Sequence, residues 1–196
     1  MQYAISDTVG VLAMISNGQD NQTDDNSAKG FGGQISWAPT DNVALFFNYF
    51  GSAESQTGDT NNTQDLRNFY DVVADIGVYK NMSLNLNVVY GKEDNANGQT
   101  LDAEWWGFSG VFRYDVNEWF SLNFRGEVFD DKDGFRSGTT QKLTAFTITP
   151  EVRINNNMVV RAEYRHDDSD ATPFTNDNGA GTDTQDTVAF NALFYF

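Results

Sequence analysis

Apolar and polar residues alternate along most of the chain with a period of two, as in strands whose two faces meet different surroundings. Ten such segments are predicted. The first sets Ile5, Val9, Val11, Ala13 and Ile15 against Thr8, Gly10 and Ser16. The next two carry Phe31, Gly33, Ile35 and Trp37, then Val43, Leu45, Phe47 and Tyr49, on their apolar sides. The fourth places Tyr70, Val72, Ala74, Ile76 and Val78 opposite Asp71, Asp75 and Gly77, and the fifth interleaves Leu84, Leu86, Val88 and Tyr90 with Ser83, Asn85, Asn87 and Gly91. Five more follow at 106–114, 120–128, 146–154, 158–167 and 187–196, and four of these carry charge on the polar side.

The connections turn this list of strands into an architecture. Short turns rich in Asn, Asp and Pro lie at 39–42, 81, 117–118 and 155–157. Long polar connections lie at 19–29, 52–68, 92–102, 131–140 and 168–186. Short and long alternate without exception, as periplasmic turns and extracellular loops do in outer-membrane barrels. The expected fold is therefore all-β: a transmembrane antiparallel up-and-down β-barrel of ten strands, one domain over residues 1–196, with both ends on the periplasmic side.

A soluble sandwich or ligand-binding barrel also alternates, with the apolar face packed inside. Two features favour the membrane. Trp37, Tyr49, Tyr70, Tyr90, Trp106, Tyr114, Phe120 and Tyr164 fall near strand ends on the apolar side, where amphipathic rings form interfacial girdles. The final strand ends Phe194-Tyr195-Phe196, and Phe194 and Phe196 fit an aromatic assembly signal for the barrel-assembly machinery. No run is long and apolar enough for a membrane helix, and the mean hydropathy of -0.51 is what barrel strands produce when every second residue is polar. Residues 1–6 carry no basic and apolar signal regions, as expected of a chain already exported.

Composition removes several alternatives. Twelve basic residues against 28 acidic ones give a formal charge of -16, which argues against nucleic acid as a partner. Aromatic residues at 14% are too many for an acidic disordered chain. With no cysteine there is no disulfide framework or Cys-based metal or redox site, and no cofactor is expected.

The one charged constellation lies on the polar side of segments six to nine: Arg113, Asp115, Arg125, Glu127, Glu151, Arg153, Arg161, Glu163 and Arg165. Opposite charges on neighbouring strands attract, and arginine grips carboxylates with a two-pronged fork. This set is expected to line a lumen, as an ion-filtering constriction or as a structural salt-bridge ladder. No catalytic residues are expected. His166, the single histidine, sits beside Asp167 and Asp168, but its parity points it to the apolar side. Asp130-Asp131-Lys132-Asp133-Gly134 and Asn176-Asp177-Asn178-Gly179 have the flavour of calcium loops without the twelve-residue frame and its terminal Glu, so no metal site is assigned.

At Asn17-Gly18, at Gly33-Gln34-Ile35-Ser36-Trp37-Ala38-Pro39-Thr40-Asp41, along Arg125-Gly126-Glu127-Val128-Phe129-Asp130-Asp131-Lys132-Asp133-Gly134, and most of all along Val160-Arg161-Ala162-Glu163-Tyr164-Arg165-His166-Asp167-Asp168-Ser169, the chain resembles the β-barrel porin-2 family, the OmpL-like group. The resemblance covers most strands and leaves the long loops unmatched. Members of that family are typically longer, so the chain resembles a shortened member or a C-terminal part. The resemblance implies an outer-membrane porin-like barrel passing small solutes or ions, in contact with membrane lipid and lipopolysaccharide. The alternative is a non-conducting structural or adhesive barrel acting through its acidic extracellular loops.

Overall fold

The computed structural model describes residues 2–19, 27–53, 65–96 and 101–195. Among these are thirteen strands: β1 (Gln2–Ala4), β2 (Val9–Ser16), β3 (Gly30–Thr40), β4 (Val43–Ala53), β5 (Leu66–Tyr79), β6 (Met82–Glu93), β7 (Ala103–Asp115), β8 (Phe120–Asp131), β9 (Gln141–Asn155), β10 (Met158–Ser169), β11 (Phe174–Thr175), β12 (Gly181–Thr182) and β13 (Thr184–Phe194). Eleven form one sheet in the order β1 to β10 and then β13, every neighbouring pair antiparallel. The β11–β12 pair is a separate hairpin within the last long connection. From β3 onward the sheet's strands have 11–15 residues, enough to cross a bilayer at a tilt.

The strand count departs from the expected ten at the beginning of the chain. Ile5 is in phase with Val9, but the chain turns between them instead of extending. The Ser6 hydroxyl accepts the N–H groups of Thr8 and Val9, at 3.3 and 3.1 Å, and this local bonding folds residues 2–4 back onto β2 as an extra strand. Gln2 lies opposite Leu12, midway along β2, and β13 finishes at the short-turn end opposite Met158. The ladder does not close on itself. No pairing joins β1 to β13 among the described residues, and these two strands form the edges of the sheet.

The short turns are built by the residues that predicted them. The Asn117 side chain accepts the N–H groups of Trp119 and Phe120, and Asn155 accepts that of Asn157. Asn81 donates its amide to the Asp115 carbonyl of the next hairpin.

Parity divides the sheet as expected. One face carries Tyr49, Tyr70, Tyr90 and Trp106 side by side in register across β4 to β7, with ring centroids 5.1 Å apart for the first pair and 6.3 Å for the second. This apolar face is bare, with Phe31, Phe47, Val72, Phe108, Phe146 and Phe190 all exposed. The buried apolar side chains among the described residues are only Ala53, Ala103, Trp105 and Val159. A soluble domain has the reverse arrangement. Such a surface needs an apolar medium around it.

Candidate functional site

The polar face gathers the charged residues of β7 to β10 into two networks. In the one nearer the short turns, Arg113 donates to Asp115 at 2.9 Å and to Glu151 at 3.0 Å, and Arg161 donates to the other Glu151 oxygen at 2.6 Å. Strands β7 and β9 are not neighbours. Arg113 reaches diagonally across β8 to Glu151 over Ser121, which is in register with Glu151, small and buried beneath the bridge. In the second network, Glu127 accepts from Arg125 at 2.6 Å and also from Arg165, which in turn binds Asp167 at 2.7 Å. Here β10 reaches β8 across Ala145, again a small residue in the intervening strand. Glu163 takes a hydrogen bond from Thr149 at 3.1 Å. Arg153 stands apart. It is exposed, has no carboxylate partner among the described residues, and borders a cleft of about 410 Å³ with Trp119, Glu118 and Asp115 at the short-turn end.

The sequence-predicted set is thus brought onto one face, with Arg153 and Glu163 outside its ion pairs. The arrangement is chemically self-satisfying. Each carboxylate in the two networks meets one or two guanidinium groups, which offsets the cost of removing it from bulk water.

A second polar stretch, built mainly from uncharged residues that sequence reasoning left unassigned, covers β3 to β6. Gln34 donates to Asn48 at 2.8 Å, Asn48 to Asp71 at 2.5 Å, Asn87 to the other Asp71 oxygen, and Asn85 to Asp75 at 2.5 Å. Asp71 and Asp75 have amide partners and no cation at ion-pair distance among the described residues. The signal for this stretch lay in the amides at every second position of β6.

The third feature lies at the long-loop end and was not anticipated. Arg67 on β5 and Glu93 on β6 form a buried ion pair at 2.6 Å. Trp105 on β7 belongs to the polar face, since its neighbour Trp106 takes the apolar one, and its ring lies over Gly91, where a methyl group would overlap it. Phe135, from the connection between β8 and β9, stacks on Trp105 with centroids 5.6 Å apart and planes inclined by 22°. The guanidinium of Arg67 sits 5.4 Å from the Phe135 ring, and that of Arg136 sits 5.4 Å from Trp105. Such contacts contribute roughly 0.5–1 kcal/mol each or somewhat more when dry. Asp131 fixes the connection from below: one carboxylate oxygen accepts the N–H groups of Arg136 and Ser137 and the Ser137 hydroxyl, at 2.7–2.9 Å. Gly134 and Gly138 supply the left-handed backbone its turns require, at φ of 67° and 81°.

The remaining candidates are placed as follows. His166 lies on the apolar face with Tyr164, and both bond the Asp186 carboxylate, at 2.8 and 2.7 Å. Asn176 caps the β11–β12 turn by accepting the N–H groups of Asn178 and Ala180. Phe194 is exposed on the apolar face at the end of β13, and Phe196 lies outside the described residues. In the long connection before β7, Asp102 meets the Lys92 ammonium at 2.7 Å. That ammonium, with the Asn95 N–H, holds the Asp102 carboxyl below the usual carboxylate range.

Comparison with known proteins agrees with this geometry. No curated protein matches the chain. Among solved structures it is similar to OmpT (in-vitro folded), an outer membrane protein of Vibrio cholerae, with a TM-score of 0.65 and 15% sequence identity. That similarity covers all of this chain and 63% of the other, so the chain spans less than two thirds of that structure's length, and at this identity the likeness is one of fold. The model of a family described as "Putative beta-barrel porin-2, OmpL-like" matches residues 1–196. With its bare apolar face and ion-paired polar face, the chain belongs to this porin-2 family and is a β-barrel protein of the bacterial outer membrane.

Proposed function

We propose that the polar face lines an aqueous lumen through which small hydrophilic solutes or ions diffuse passively. The observation that carries this reading is the pair of polar clusters on one face of the sheet, amides and aspartates on β3 to β6 and ion pairs on β7 to β10. They are interspersed with apolar residues such as Phe46, Val73, Val89 and Val111. The clusters' amides, carboxylates and guanidinium groups bond to one another and leave water-accessible edges, while the opposite face offers lipid an apolar band. Charged groups inside a membrane protein sit against a water-filled cavity or against one another, and here they pair with one another while keeping part of their surface exposed. The role is non-enzymatic: His166, with Asp186, faces the lipid side rather than the lumen. Lipopolysaccharide and phospholipid are the proposed partners of the apolar face, and the barrel-assembly machinery is the proposed reader of Phe194 and Phe196.

The test is conductance in planar bilayers with the purified, folded protein. Discrete conductance steps are expected. Folded protein that inserts and stays silent would favour the non-conducting, adhesive reading instead.

A further inference from the structure

The Trp105 side chain faces the lumen side of β7, yet the residue is only 3% exposed. Glu93, on the same face of β6, is fully buried. An open, water-filled mouth would leave both wet. They are dry at the long-loop end of a face that elsewhere carries half-exposed charge. The layering over Trp105 explains its burial: the β6 backbone at Gly91 comes first, the indole lies on it, and the Phe135 ring lies on the indole. Within residues 132–140 the Phe135 ring turns back onto the wall, while Lys132, Asp133, Arg136, Ser137, Gly138 and Thr140 stay exposed. Phe135 and Arg136 thereby lie over the inner side of the wall at Trp105 and Arg67.

The seat is drawn from the strands of the wall. Arg67, Glu93, Trp105 and Asp131 come from four consecutive strands; Arg67, Trp105 and Asp131 contact the loop, and Glu93 holds Arg67. A second tie runs from the Asp133 carboxylate to the Glu104 N–H at 2.8 Å, pinning the loop's near end to the rim of β7. We propose that residues 132–140 are an inward plug that sets the size limit of the outer mouth. Phe135 and Arg136 are its gauge, and the ion-paired networks deeper in the lumen act on charge rather than on size. The inference rests on the pore reading for what the plug limits, while the seating of the loop stands on geometry alone.

Two measurements test it. In planar bilayers, neutral polymers of graded size report the aperture by the conductance they suppress. Phe135→Ala with Arg136→Ala keeps the Asp131 backbone ties and removes both ring contacts. It is expected to raise conductance severalfold and admit larger polymers, whereas Phe108→Ala, which removes a ring from the lipid side, leaves both unchanged. Unchanged conductance and polymer cut-off in the double variant, with folding verified by gel mobility of the unheated protein, would overturn the proposal.

The second measurement needs no conduction. The chain has no cysteine, so Phe135→Cys and Asn178→Cys each give a single thiol. In nanodisc-embedded protein the thiol at position 135 is expected to react severalfold more slowly with a maleimide than the one at the exposed β11–β12 turn. Equal rates would show that the loop is not seated and would end the proposal. Slow labelling with a silent parent and a conducting double variant supports a plug that shuts the mouth completely. Slow labelling with both proteins silent defeats the pore reading, and the size-limiting role falls with it.

Discussion

Replacing Glu151 with alanine removes a carboxylate that two arginines share, the more buried of the two such carboxylates. Arg161 donates to it at 2.6 Å and Arg113 at 3.0 Å, with the Ser121 hydroxyl at 3.4 Å as a weaker third contact. The Glu151 side chain is 7% exposed, whereas the arginines keep 29% and 35% of their side-chain surface. A charge-assisted hydrogen bond in a dry setting contributes about 1.5–3 kcal/mol, and a fully solvated ion pair about 0–1 kcal/mol. With one dry and one wet partner, each bond falls between these, so Glu151→Ala is expected to cost roughly 2–3 kcal/mol. After the change Arg113 retains Asp115, but Arg161 has no carboxylate among the described residues. Arg125 is the internal control, because it is 46% exposed and makes a single ion pair, so Arg125→Ala should cost only about 0–1 kcal/mol. Equilibrium urea unfolding in phospholipid vesicles, followed by tryptophan fluorescence, measures both. A Glu151→Ala cost no larger than that of Arg125→Ala would refute the view that the network is partly dry and structural.

Other expectations follow from the same geometry. Leu86→Arg on the lipid side should cost about 2–4 kcal/mol near the midplane and Asn87→Arg on the lumen side much less; equal costs in the same unfolding assay would reverse the faces. Arg125→Ala combined with Arg161→Ala removes two lumen cations and should move the reversal potential under a salt gradient towards cation selectivity. No movement would place the networks off the ion path. Gly91→Ala puts a methyl group into the Trp105 ring and should cost roughly 1–3 kcal/mol, read as a lowered unfolding midpoint, with no loss arguing that the indole is free to move. Because the folded pKa of Asp102 is depressed, its contact with Lys92 contributes above the ordinary value of 3.8 and is lost as pH falls through the lower folded value. A carboxyl titration by NMR with a midpoint at or above 3.8 would contradict that contact.

Much of the fold was legible because a strand's side-chain period is two and turn chemistry is local. Trp37, Phe47, Leu86 and Phe124 announce their face by parity alone, and Asn117 and Asn155 mark turns that their own side chains build. Ile5 misled for the same reason. It kept the parity of Val9, and only the Ser6 hydroxyl's bonds to the next backbone groups reveal the turn. The charged residues were recognisable as a set, but their grouping depends on register. Arg113 meets Glu151 across a strand that holds Ser121, and linear spacing does not encode that pairing. The mouth was least legible. Phe135 lies in an aperiodic loop, and the adjacent Trp105 and Trp106 face opposite sides of the sheet. The available clue was a glycine, Gly91, standing opposite Trp105 in register.

The seat at the outer mouth also bears on the order in which the chain assembles. The ladders of the large sheet join strands that follow one another in sequence, with only the small β11–β12 hairpin intervening before the last, so each can form by adding a hairpin with little loop entropy to overcome. The contact between Arg67 and Phe135 is of another kind. It spans distant parts of the chain and has nothing to grip until β5 to β8 stand side by side, and contacts of high sequence separation form late. The Arg67–Phe135 contact is therefore expected to form only after β5 to β8 stand side by side, so that the wall is in place before the Phe135 ring seats on it.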